Sequence, residues 1–294
     1  MKQLLILSGK GGTGKTTLAS AFIKLAKALA YADCDVDAPN LHLSLHQSSA
    51  PFISDYFGLP KAFIDPVACS DCDLCKQHCR FDAIQFNVEE QKHQIDLFSC
   101  EGCGVCERIC PYSAISLHPV SAGKLFLYSH PHIFSSARLE MGSGATGKLV
   151  TAVKKQLLSE VSDKKVSLTI IDGSPGIGCP VIASLNGADL VLIVAEPSVS
   201  GMNDMERIIE TAQKLMITVA VCVNKFNINL ENTKAIENYC KRCNIAFAGT
   251  IPFDKTAVEA INKGKTIVDE DCAAGDAVKK VYKNIVSLLF DTML

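Results

Sequence analysis

Eight cysteines fall between residues 69 and 110 of this 294-residue chain, in two runs: Cys69-x2-Cys72-x2-Cys75-x3-Cys79 and Cys100-x2-Cys103-x2-Cys106-x3-Cys110-Pro111. Each cysteine of the second run lies 31 residues after its counterpart, and the repeat extends to Ala83-Ile84 and Ala114-Ile115. Three thiolates so spaced wrap three corners of an iron-sulfur cube, while the fourth, carried off by the following turn, reaches the other cube. On that rule Cys69, Cys72, Cys75 and Cys110 hold one 4Fe-4S cluster, and Cys100, Cys103, Cys106 and Cys79 hold the other. A structural zinc site asks for one tetrahedral set of four, so the in-register repeat argues against zinc. A second chemistry sits at the start of the chain, in Gly9-Lys10-Gly11-Gly12-Thr13-Gly14-Lys15-Thr16-Thr17. Glycines let successive backbone N–H groups curl around phosphate oxygens, and a helix N-terminus adds its dipole. Residues 11–17 (Gly11, Gly12, Thr13, Gly14, Lys15, Thr16 and Thr17) form the expected phosphate cradle, with Lys15 on the terminal phosphates and the Thr16 hydroxyl on magnesium.

The surrounding elements fit these roles. The apolar run 3–8 reads as a buried strand and 18–26 as a helix, which is the strand-loop-helix setting a phosphate loop requires. Residues 166–171 read as another buried strand, ending in Asp172-Gly173-Ser174-Pro175-Gly176. A further strand, 190–195, is closed by Glu196-Pro197, and 219–223 leads into Asn224-Lys225. Strands alternating with amphipathic helices predict an α/β fold with a mainly parallel sheet covered on both faces. No apolar run approaches the roughly 18 residues of a spanning helix, and the first residues read as a strand, not an export signal. Fourteen cysteines without such a signal point to a reducing cytoplasm. With 29 basic and 31 acidic side chains, the chain has no polycationic footprint for nucleic acid. Between Pro66 and Pro119 there are 4 basic and 8 acidic residues, a charge suited to a basic redox partner.

Lys10 inside the loop is distinctive. The form Lys-Gly-Gly-x-Gly-Lys-Thr resembles the deviant Walker A motif of the MinD/ParA/Mrp superfamily of P-loop ATPases (SIMIBI type), which includes the nitrogenase iron protein and cluster-carrier ATPases. In that family the first lysine reaches across a nucleotide-sandwich dimer to the partner's ATP. The resemblance therefore implies an ATP-dependent homodimer, or a heterodimer with a paralogue. Residues 33–41, Asp-Cys-Asp-Val-Asp-Ala-Pro-Asn-Leu, resemble the first switch, whose second aspartate orients the attacking water. That role falls on Asp35 ahead of Asp37. Asp172 resembles the Walker B aspartate that holds magnesium through water, Asn224 the reader of the adenine edge, and Pro252 the loop that closes over adenine. Within the superfamily, the likeness is closest to ATPases carrying an inserted α+β bacterial-type ferredoxin domain. It implies an ATPase domain of residues 1–60 and 120–294, interrupted by a two-cluster ferredoxin at 61–119.

The expected function is an ATPase, with magnesium and two 4Fe-4S clusters, that couples dimerisation to electron transfer toward a redox or iron-sulfur acceptor protein. A cluster assembly or metal-delivery ATPase is the alternative, and a MinD/ParA-type positioning switch that uses the ferredoxin for docking is a second. Other features are discounted. Gly142-x-Gly144-x-x-Gly147 lacks the βαβ setting of a dinucleotide fingerprint and reads as a loop before a helix from Lys148. Ordinary packing is expected for Cys240, Cys243 and Cys179, and the histidines are expected apart from the cysteines. The apolar face of the last helix is expected to pack on the sheet, with no membrane contact.

Overall fold

The computed structural model describes residues 1–45, 47–144, 146–162 and 165–290. Its first part runs β1 (Lys2–Leu7), α1 (Lys15–Ala26), β2 (Ala30–Asp33), α2 (Leu41–Ser44) and β3 (Phe52–Phe57). The cysteine-rich part follows: β4 (Lys61–Ile64), α3 (Leu74–Gln77), β5 (Ile84–Asn87), β6 (Lys92–Ile95), α4 (Val105–Ile109) and β7 (Ile115–His118). The chain then continues through β8 (Ser121–Tyr128), β9 (Ile133–Leu139), α5 (Thr146–Val161), β10 (Leu168–Asp172) and α6 (Cys179–Leu185). Last come β11 (Leu190–Ala195), α7 (Val199–Lys214), β12 (Thr218–Asn224), α8 (Leu230–Arg242), β13 (Ala246–Ile251), α9 (Lys255–Asn262) and α10 (Ala273–Phe290).

Nine strands form one sheet in the order β13-β12-β11-β1-β10-β2-β9-β8-β3. The seven from β13 to β9 are mutually parallel, and β8 and β3 extend them antiparallel. Leu4 to Leu7 and Leu190 to Ala195 are buried along their whole length, as continuous apolar strands must be when helices cover both faces. One face packs on α5, α6, α7 and α8, and the other on α1 and α10. Val278, Val281, Ile285 and Leu289 of α10 lie in that second layer, so the apolar face of the last helix is spent on the sheet. Among the described residues no helix is long and apolar enough to cross a membrane. The short link after α1 is closed by Lys27 in the left-handed conformation (φ 47°), which lets β2 begin at Ala30. The helix expected from Lys148 begins at Thr146.

The cysteine-rich segment obeys its 31-residue repeat in three dimensions. β4 pairs antiparallel with β7 and β5 with β6, so each strand of one half pairs with a strand of the other. Equivalent bonds recur: Cys69 and Cys100 donate their N–H to the carbonyls of Asp65 and Asp96, both at 3.0 Å. The positive φ angles of Asp71 and Asp73 recur at Gly102 and Gly104. A curled backbone before each short helix brings consecutive cysteines to one side, and the second half uses glycine where the first uses aspartate.

Candidate functional site

The loop after β1 ends at Gly14 (φ +91°), which opens α1 without a side-chain cap. A Cβ at Gly14 would lie 2.3 Å from Nδ2 of Asn224, so the loop and the end of β12 are packed together through a missing side chain. That amide donates to the Thr13 carbonyl at 2.6 Å, and Lys225 donates to the Gly12 carbonyl at 2.9 Å. Beneath the loop Lys15 is buried against Asp172 at the end of β10, with Nζ 2.6 Å from Oδ1. The Thr16 hydroxyl donates to the other oxygen at 2.7 Å. Burial is the strongest single influence and works to lower the Lys15 pKa, yet the carboxylates of Asp172, Asp35 and Asp33 together outweigh it and the net shift is upward, so the cation is secure. Asp35 stands 3.9 Å from Lys15. Burial raises its carboxyl, Lys15 partly offsets this, and Asp172 and Asp37 add to it, whereas Asp37 itself is exposed.

Beside the loop, a cavity of about 230 Å³ is lined by Gly12, Gly14, Thr17, Asn224, Pro252 and Phe253, among others. Asn224 and Pro252 thus share one concavity with the loop. Lys10 forms a 2.6 Å ion pair with Glu196, and its Nζ is 3.4 Å from the Ser198 hydroxyl. The Lys10 cation holds the Glu196 carboxyl below its usual range, with Lys225 adding to the effect.

Sequence reasoning passed over Asp33, which is completely buried at the end of β2. Its carboxylate accepts backbone N–H bonds from Asp35, Asn40 and Leu41, each at 3.0 Å, and so ties down both ends of the 34–40 loop. Burial, with help from Asp172, pushes this carboxyl up to about 7. The signal was the first aspartate of the Asp-x-Asp pair. Glu196 was likewise read only as a strand terminator.

The eight clustered cysteines divide into two cavities. One is lined by Cys69, Cys72, Cys75 and Cys110. The other is lined by Cys79, Cys100, Cys103 and Cys106. Each cavity takes three thiols from one half of the repeat and one from the other.

Two expectations are corrected. His93 is not apart from the cysteines: it lines the first cavity, with Nδ1 3.0 Å from Asp71 and Nε2 2.8 Å from Asp73. Strand β6 carries it there, in the position held by Ala62 in the first half of the repeat. Cys179 is exposed, because Val181, Ser184 and Leu185 form the buried face of α6. Cys240 is buried, with its thiol pushed up to about 11 by that burial, while Cys243 is exposed at the end of α8.

Comparison with known proteins identifies the family and the fold. Residues 4–267 match the model of the CobQ/CobB/MinD/ParA nucleotide-binding domain. An uncharacterized protein of Methanocaldococcus jannaschii is 31% identical over 96% of this chain and 96% of its own length. An iron-sulfur cluster carrier protein of the same organism is 28% identical over 48% of this chain and 53% of its own length. Among solved structures, the septum site-determining protein MinD complexed with Mg-ADP from Pyrococcus horikoshii aligns with a TM-score of 0.59 at 16% identity. That alignment covers 99% of this chain and 98% of the MinD chain. A MinD-like parallel sheet, the phosphate loop that opens it and a family match across most of the chain place this protein in the MinD/ParA/Mrp superfamily of P-loop ATPases.

Proposed function

We propose that this protein is an ATP-hydrolysing iron-sulfur protein in which nucleotide-dependent dimerisation is coupled to electron transfer through two 4Fe-4S clusters. The observation that carries this reading is the crossed division of eight thiols into two cavities, in one chain with the Lys15–Asp172 site. Four sulfur donors around each cavity suit an iron-sulfur cube. Clusters held by these thiols would supply one-electron chemistry. Residues 61–119 then form an inserted ferredoxin domain, and 1–60 with 120–294 the ATPase.

For ATP, residues 11–17 would cradle the phosphates, and Thr16 and Asp172 would hold magnesium. Both are already within 2.7 Å of each other, with oxygen donors suited to that hard cation. Asn224 and Pro252 would border adenine, and Asp35 would orient water. Lys10, on leaving Glu196, would reach the terminal phosphates of a partner subunit's nucleotide. The cytoplasm is the compartment that suits exposed thiols and ATP. A second reading, cluster delivery, is favoured by the relatives named iron-sulfur cluster carrier proteins and by Cys72 and Cys103, one exposed thiol in each cavity.

Anaerobically purified protein is expected to contain about eight irons and eight sulfides per chain, with a reducible 4Fe-4S spectrum. Zinc in place of iron would overturn the reading. Reduction of an acceptor at an ATP-dependent rate supports electron transfer; ATP-dependent appearance of clusters in an apo-acceptor supports delivery instead.

A further inference from the structure

The turn after β9 touches both the nucleotide side of the sheet and the cysteine-rich insert. At its start, Leu139 donates its N–H to the Val36 carbonyl at 2.9 Å, one residue beyond Asp35. The chain then folds back, with Glu140 donating to the Ala122 carbonyl at 3.0 Å and Ser143 to the Glu140 carbonyl at 3.1 Å. Two glycines of this turn face the insert. A Cβ at Gly142 would lie 2.3 Å from the Phe98 ring, and one at Gly144 would lie 3.4 Å from a carboxylate oxygen of Glu101. Phe98 and Glu101 bracket Cys100, and Glu101 lines the same cavity as Cys79, Cys100, Cys103 and Cys106.

The contact is asymmetric. Beside this contact a cleft of about 220 Å³ opens between the turn and the insert, and Phe98, Glu101, Met141 and Gly142 line it. None of the residues that line this cleft lines the first cysteine cavity. Two properties suit the contact to transmission. Glycine presents bare backbone to the ring, so a shift of the turn displaces Phe98 without a side chain to absorb it. Phe98 is also 71% exposed, so the contact is small enough to be made and broken.

We propose that the turn 139–144 carries the nucleotide state of the 33–41 loop to the second cysteine cavity, with Phe98 and Glu101 as positioning residues. The first cavity stands outside this path. The inference rests on the proposed reading of 33–41 as a nucleotide-sensing loop and of the cavities as cluster sites. A ligand shifts an equilibrium only through contacts that differ between two states, and the Val36–Leu139 bond is such a contact if the loop moves. Coupling between binding sites is reciprocal, so loading the second cavity must alter ATP affinity by the factor with which ATP alters loading.

The test is amide hydrogen exchange on the full chain with and without Mg-ATP, in metal-free and iron-loaded protein. In the wild type, Mg-ATP is expected to change exchange of 97–104 by about fivefold or more, within the usual range of coupling, and to leave 69–75 unchanged. Phe98→Ala is expected to abolish the response at 97–104 while 35–41 still responds. Glu101→Gln, a milder change, is expected to weaken it, and iron loading is expected to change ATP affinity in the wild type but not in Phe98→Ala. The proposal is overturned if 35–41 responds in the wild type and 97–104 does not, or if Phe98→Ala leaves the response intact. A chain that binds no Mg-ATP or takes up no iron overturns the functional reading itself, and this inference with it.

Discussion

Asp33 shows how much one buried carboxyl can organise. With its pKa raised to about 7 by burial, the folded chain keeps a proton on Asp33 that the unfolded chain has released near pH 4. Its contribution to stability is therefore full below about pH 4 and is lost as pH rises through about 7. In denaturant titrations from pH 4.5 to 8, Asp33→Asn should show a flatter stability profile than the wild type. Gly14 offers a sharper case. Gly14→Ala places a Cβ against Asn224 in a conformation that costs non-glycine residues about 1–3 kcal/mol. Calorimetry should show it folded yet at least about tenfold weaker for ATP, each 1.4 kcal/mol being a factor of ten. Both residues were visible in the sequence only by type. That Gly14 meets Asn224, or Lys10 meets Glu196, depends on neighbours far apart in the chain, which no local spacing encodes.

Among the elements, the strands with unbroken apolar runs were the legible ones, since burial on both faces leaves no alternation to misread. Leu190–Ala195 occupies the span expected, and the strand expected at 166–171 begins two residues later and runs on to include Asp172. The antiparallel extension by β8 and β3 was not legible. Phe52, Ile53 and Phe57 of β3 are exposed apolar residues at a sheet edge, and their pattern is that of no buried strand. The last helix was legible by its period. Its weight can be measured: Ile285 is fully buried between α10 and the sheet, so Ile285→Ala should cost about 2–5 kcal/mol in chemical denaturation. The same helix brings Tyr282 edge-on to Phe22 of α1, with ring centroids 5.1 Å apart. Damage there should reach the helix that carries Lys15 and Thr16.

For the whole molecule, the proposed dimer predicts a change in mass. Light scattering with Mg and a non-hydrolysable ATP analogue should show a species of twice the monomer mass, and nucleotide-free protein should remain monomeric. Lys10→Ala should still bind ATP yet lose hydrolysis; unaltered turnover in that variant would remove the case for a lysine acting across two subunits. The crossed cysteine cavities carry a different implication, about ancestry. Each cavity closes only with one thiol from the opposite half of the repeat, and each small sheet pairs one half with the other. A single unduplicated half could finish neither its sheet nor its cavity. Before the two halves were fused, such a unit could have worked only by joining a second copy of itself, and the 31-residue repeat preserves that vanished partnership inside one chain.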